Sequence, residues 1–225
     1  AGTGTPVYIY SAGLVREACA ALGAAFEGYP HAIHYALKAN STLAVLRLLR
    51  GLGAGADANS GGEIEAALRA GFEPPQIVFT GVGKTRDELD HAVALGVKAI
   101  NIESDGEADR IDALALARGV KARVALRVNP DIDANTHAHI ATGRRANKFG
   151  VPIEFAAPLL RRLAGKPGLE VVGLHVHLGS QILDVEPLGS AARALSSLAR
   201  EVRDAGHEIG NHSYAHPLYC LMTPE

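Results

Sequence analysis

Short β-branched runs alternate with Ala/Leu-rich stretches along most of this chain. The pattern predicts strands at 6–10, 32–37, 55–58, 76–80, 99–103, 121–129 and 170–177. Most successive starts lie about 22 to 26 residues apart, which fits one strand and one crossover helix. The stretches between them carry helical spacing. Leu188, Ala191, Ala192, Leu195, Leu198, Ala199 and Val202 fall on one apolar helical face. Ser60-Gly-Gly-Glu63 and Thr85-Arg-Asp-Glu88 set a hydroxyl three residues before a carboxylate, the spacing of a capping box at a helix start. Serial strand–helix units imply a parallel sheet with right-handed crossovers. Even spacing without a GxGxxG fingerprint favours a barrel over an open dinucleotide-binding sheet. The fold class expected is therefore α/β, a (β/α)8 barrel of the TIM type.

One step breaks the rhythm. Between the strands at 121 and 170 lies Asp131-Ile-Asp-Ala-Asn-Thr-His-Ala-His-Ile-Ala-Thr-Gly143, a polar segment directly after a strand. Barrel active sites are built from loops at strand C-termini. The segment reads either as a lid or substrate loop, or as a surface insertion.

Composition narrows the picture. The chain has 225 residues, slightly short for a whole barrel, with 48% hydrophobic and 20% charged residues. That is ordinary globular composition and argues against disorder. A net charge of −2 gives no field drawing it to nucleic acid or anionic lipid. No apolar run reaches the roughly 18 residues of a membrane span, and no signal-peptide layout opens the chain. Two cysteines, Cys19 and Cys220, make no disulfide framework, so a cytoplasmic location is expected.

Candidate chemistry sits at strand ends. Gly81-Val-Gly-Lys-Thr85 misses the phosphate-binding P-loop pattern, because Val78 stands where its first glycine belongs. It reads as a turn into a capped helix. In His34-Tyr-Ala-Leu-Lys38, alternation puts Ile33, Tyr35 and Leu37 on one face and His34, Ala36 and Lys38 on the other. Lys38 would then point inward at the C-terminal rim. There it would be a desolvated, imine-forming amine, or a lysine snorkelling off the strand end. Arg127 shares a face with Ala125 and Asn129, and His175 and His177 oppose Leu174, Val176 and Leu178. Asp57 and Glu63 flank another strand exit. Gly179-Ser180 could offer a backbone N–H and a hydroxyl to a phosphate. The two histidines could instead be metal ligands, although a third ligand at a recognisable spacing is missing.

Tyr35-Ala-Leu-Lys-Ala-Asn40, Asp57 through Ser60-Gly-Gly-Glu63, Leu126-Arg-Val-Asn-Pro130, Lys148-Phe-Gly150 and His175-Val-His-Leu-Gly-Ser-Gln181 together resemble the diaminopimelate decarboxylases. These belong to the fold-type III pyridoxal-phosphate enzymes, the class of alanine racemase and ornithine decarboxylase. The resemblance runs in order from about Gly4 to Ile209. It implies a barrel that binds pyridoxal 5′-phosphate (PLP), incomplete at its C-terminal end. Lys38 would form the imine with PLP, His177 would stack on its ring, and Gly179 and Ser180 would bind its phosphate. Asp57, Glu63 and Arg127 would hold lysine and cofactor in position. The implied activity is removal of carbon dioxide from meso-2,6-diaminopimelate to give L-lysine. A small amino-acid substrate and a family-type homodimer go with it, and no nucleic-acid or membrane partner.

The resemblance covers 1–205 as a barrel domain. The family's glycine-rich phosphate loop, Glu-Pro-Gly-Arg motif and β-domain do not follow. Residues 206–225 read as a separate tail, and Gly206-His-Glu-Ile-Gly-Asn-His-Ser-Tyr-Ala-His-Pro217 resembles the zinc motif of polysaccharide deacetylases. His212 and His216 would be its metal ligands. The expectation is a decarboxylase chain with little turnover by itself. The alternatives are a zinc-dependent carbohydrate deacetylase and a non-catalytic fragment.

Overall fold

The computed structural model describes residues 4–132, 149–180, 182 and 184–204. Its centre is a parallel sheet of strands β1 (His34–Ala36), β2 (Gly55–Ala58), β3 (Ile77–Phe79), β4 (Ala99–Ile102), β5 (Ala122–Asn129), β6 (Val151–Pro152) and β7 (Leu169–His175). The first five lie side by side in chain order, each paired in parallel with the next. The outer edge of β5 is divided. Its last two residues, Val128 and Asn129, pair with β6, and the stretch from Ala122 to Arg127 pairs with β7. A sequentially ordered, all-parallel sheet of this kind fits the barrel that the strand rhythm favoured, incomplete as the resemblance implied.

Helices α1 (Ala12–Ala25), α2 (Leu43–Gly51), α3 (Gly61–Ala70), α4 (Arg86–Leu95), α5 (Asp105–Arg118), α6 (Ile153–Ala164) and α7 (Glu186–Asp204) complete the units. The core lies between them and the sheet. Ile64, Leu89, Ile111, Leu163 and Leu195 meet Ile77, Phe79, Ile100, Ile102 and Leu126 there. On α7 the apolar stripe read from the sequence is inside, with Ala191, Leu195, Leu198, Ala199 and Val202 buried and Leu188 and Ala192 half-buried.

Three successive helices start by one device. Ser60, Thr85 and Ser104 each accept a hydrogen bond from the backbone N–H of the glutamate three residues on, Glu63, Glu88 and Glu107. The carboxylates then differ. Glu88 closes a full capping box on Thr85 and reaches the N–H of Gly61 at 2.8 Å, so it holds the starts of α3 and α4 together. Glu63 and Glu107 pass over their own cap residues and accept from Asn59 and Glu103 N–H, both at 2.7 Å. These bonds satisfy donors that the helix start leaves without a partner. The Gly81–Thr85 turn does lead into a capped helix.

Two strand expectations are corrected. Residues 6–10 form no strand; Tyr8 and Ile9 are 90% and 87% exposed, so their apolar content meets no sheet face. The strand at 32–37 shrinks to His34–Ala36, because Leu37–Ala39 turns into a short 3-10 helix. The two-residue β6 was not anticipated.

Candidate functional site

The C-terminal strand ends make one polar rim. Lys38 sits on the turn after β1, with Leu37 buried beneath it. Its side chain is exposed, which fits the snorkelling reading of the alternation and not the desolvated one. Two facts account for this. The chain leaves the strand at Ala36, and β1 pairs only with β2 among the described residues.

Asp57 lies on β2 directly across from Ala36 and is half-buried. Its Oδ1 accepts a hydrogen bond from the Thr80 hydroxyl. Burial pushes its carboxyl up to about 6. The Thr80 bond and the charges of Lys38 and Arg127 oppose that rise, while Glu63 adds to it. Asp57 is therefore a carboxyl that can change charge not far below neutral pH, within the field of Lys38, Glu63 and Arg127.

Arg127 is buried on β5, opposite His175 in the ladder. Its Nη1 donates to Glu103 Oε1 at 2.6 Å, and its guanidinium lies 5.5 Å from the Phe149 ring centroid. Beyond the end of β7 follow half-buried His177, half-buried Gly179 at φ +148°, and exposed Ser180. A Cβ built on Gly179 would meet nothing within 4 Å among the described residues. Glu63 belongs to the rim as a helix-start residue that acts on Asp57 through its charge. No group of three or more His, Cys, Asp or Glu able to hold a metal occurs among the described residues. His212 and His216, and most of the 131–143 segment, lie outside the described residues.

Sequence reasoning missed the layer under the rim. Lys84, dismissed with the failed P-loop, is buried, its ammonium within hydrogen-bond reach of Gly81 O at 2.6 Å, Asn101 O at 2.7 Å and Glu107 Oε1 at 3.1 Å. Burial lowers its pKa, and Glu107 opposes that. Asn101 Nδ2 donates to Thr80 Oγ1 at 2.8 Å. One signal was available, since Ser104-Asp-Gly-Glu107 repeats the spacing of the two recognised capping segments.

The rim thus offers a primary amine, a fixed guanidinium, a carboxyl with a raised pKa and a Gly-Ser loop after β7. Such a set suits an aldehyde-bearing, phosphorylated ligand. Residues 12–212 match the family model for the pyridoxal binding domain of pyridoxal-dependent decarboxylases. The diaminopimelate decarboxylase of Pseudomonas aeruginosa is 45% identical over 207 residues, covering 92% of this chain and 49% of that protein. A crystal structure of the Helicobacter pylori diaminopimelate decarboxylase complexed with L-lysine superposes with a TM-score of 0.88 at 39% identity, covering 94% of this chain and 56% of that one. The structure of SrLDC in complex with PLP and cadaverine gives 0.77 at 26% identity, over 92% of this chain and 49% of that one. The chain spans about half the length of the curated relatives it matches. Among the described residues, no helix is long and apolar enough to cross a membrane.

Proposed function

Because this chain belongs to the pyridoxal-dependent decarboxylase family, as its pyridoxal-binding domain, we propose that it binds PLP and forms the cofactor-holding part of an enzyme that decarboxylates meso-2,6-diaminopimelate to L-lysine. The observation that carries the reading is the grouping of Lys38, Asp57 and Arg127 at one strand-end rim. The 45% identity to a diaminopimelate decarboxylase supports the choice of substrate.

Lys38 would hold the cofactor covalently through Nζ, and its exposed position leaves the amine open to an incoming aldehyde. Ser180 Oγ and the Gly179 backbone would take the phosphate. His177 would lie against the ring. Arg127, its guanidinium fixed by Glu103, and Asp57, fixed by Thr80, would set the charge around Lys38. When bound, PLP supplies an electron sink for the electron pair left by loss of carbon dioxide. Asp57 can store a proton beside Lys38, since its carboxyl titrates near 6. A soluble homodimer in the cytosol is the assembly this reading implies.

Incubation with PLP should give an imine absorption band. Borohydride should then fix one pyridoxyl group, found by peptide mass spectrometry on Lys38 and absent from Lys38→Ala. Fixation elsewhere, or equal labelling of the variant, would refute the reading.

A further inference from the structure

Asp57, Thr80 and Asn101 form a hydrogen-bonded line across β2, the end of β3 and β4. Thr80 donates its hydroxyl to Asp57 Oδ1, and Asn101 Nδ2 donates to Thr80 Oγ1 at 2.8 Å. Asn101 is fully buried and Thr80 nearly so. Yet the second polar atom of the amide, Asn101 Oδ1, is buried and accepts no hydrogen bond among the described residues. A buried amide oxygen left this way costs about 1–3 kcal/mol, so its retention calls for a reason.

The reason lies in counting protons. A threonine hydroxyl has one. While Asp57 is ionised, that proton goes to the carboxylate, and Oγ1 can only accept from its other neighbour. The nitrogen of Asn101 then faces it, as observed. When Asp57 is protonated, the acid can donate to Oγ1, and the hydroxyl proton needs a new acceptor. Asn101 Oδ1 becomes that acceptor once the amide turns over. Only the O–H bond on Asp57 is made or broken, its proton exchanging with solvent; Thr80 and Asn101 keep theirs. An asparagine serves both states because it carries a donor end and an acceptor end.

We propose that Thr80 and Asn101 are positioning residues that hold Asp57 in one orientation in both its charge states, the Asn101 amide reversing as Asp57 gains or loses its proton. The charges facing Asp57 are Lys38 after β1, Glu63 on α3 and Arg127 on β5. Thr80 alone hydrogen-bonds to it among the described residues. The Asn101 backbone is fixed meanwhile, because its carbonyl accepts from the buried Lys84. The amide therefore turns on a rigid strand. The inference goes beyond the cofactor reading and does not need it, since the chain can be tested without PLP.

The test is NMR of the whole cofactor-free chain between pH 4 and 8, following the Asp57 carboxyl carbon and the Asn101 side-chain amide, assigned with Asp57→Asn and Asn101→Leu. The Asn101 signals should move with the Asp57 midpoint, and Thr80→Ser should keep that coupling. Thr80→Val should raise the Asp57 midpoint by roughly half to one pH unit, a three- to tenfold gain in proton affinity, and abolish the Asn101 response. Asn101 signals that stay fixed while Asp57 titrates in the parent chain would overturn the proposal, whether or not Thr80→Val folds. So would a Thr80→Val chain in which Asn101 still follows Asp57.

Discussion

Lys84 and Glu107 form an ion pair closed off from water, 3.1 Å apart with 1% and 5% of their side chains exposed. Each also holds backbone, Lys84 at Gly81 and Asn101 and Glu107 at Glu103. The pair joins the turn before α4 to the start of α5.

Removing one member should cost far more than removing both. Lys84→Met leaves a buried carboxylate unpaired and should lower stability by about 3–5 kcal/mol. Lys84→Met with Glu107→Leu should lie within about 2 kcal/mol of the parent. Urea denaturation of the two variants decides it, and equal losses would show that the pair is not the unit.

Asp57 should make the fold less stable as pH rises. Its folded value of about 6 stands above the ordinary 3.8 because burial disfavours the charge. The native state therefore binds the proton more tightly than the unfolded chain, and stability falls as pH climbs through that window. Asp57→Asn removes the dependence. Relative to the parent it should gain on the order of 2 kcal/mol across that window and then level off. Denaturant midpoints measured through the same range check both the sign and the plateau.

Glu88 should act in the opposite direction. Backbone N–H groups of Gly61 and Thr85 hold its carboxyl below the ordinary 4.5. Its contribution is present above that value and is lost as pH falls through the lower folded one. Glu88→Ala should cost about 1–2 kcal/mol at neutral pH and fray two helix starts together. Faster amide exchange at both Gly61 and Thr85 would register this, whereas a change at Thr85 alone would deny the bridge.

Gly55 should resist any side chain. A Cβ there would lie 2.6 Å from Nε2 of His34 and 2.8 Å from the Gln76 carbonyl oxygen. His34 is buried and Gln76 O is backbone, so neither yields easily. Gly55→Ala should destabilise by about 2–3 kcal/mol. Gly51→Ala, at the end of α2 with nothing near its Cβ, should be neutral or gain up to about 1 kcal/mol. Thermal or urea midpoints of the two variants separate close approach from mere helix propensity.

These cases show where the sequence was readable. β2 was legible to the residue because glycine turns and capped helices bracket it. The α7 stripe was legible because one face of a long helix buries a repeating pattern. For Lys38 the alternation left a desolvated and a snorkelling reading open, and its exposed side chain fits the second. Alternation describes a strand and says nothing of the turn that ends it. The apolar run at 6–10 misled for a related reason, since β-branched and aromatic content marks a strand only when a neighbour offers backbone to pair with. β6 is too short to show a period. The contacts of Lys84, Asn101 and Thr80 were invisible because most of their partners lie on other strands and helices. No spacing along the chain records that one ammonium meets a carbonyl of its own turn and another on β4.

The chain-order arrangement of β1 to β5 also bears on how the protein is made. Each of these strands docks on the one synthesised just before it, so the sheet can grow unit by unit as the ribosome delivers chain, with only local loops to close. That order ends at β5, whose single free flank must receive both β6 and β7. Translation offers the two-residue strand first and the seven-residue strand only after α6 has emerged. A nascent chain halted between them would present most of the β5 backbone to any other extended peptide.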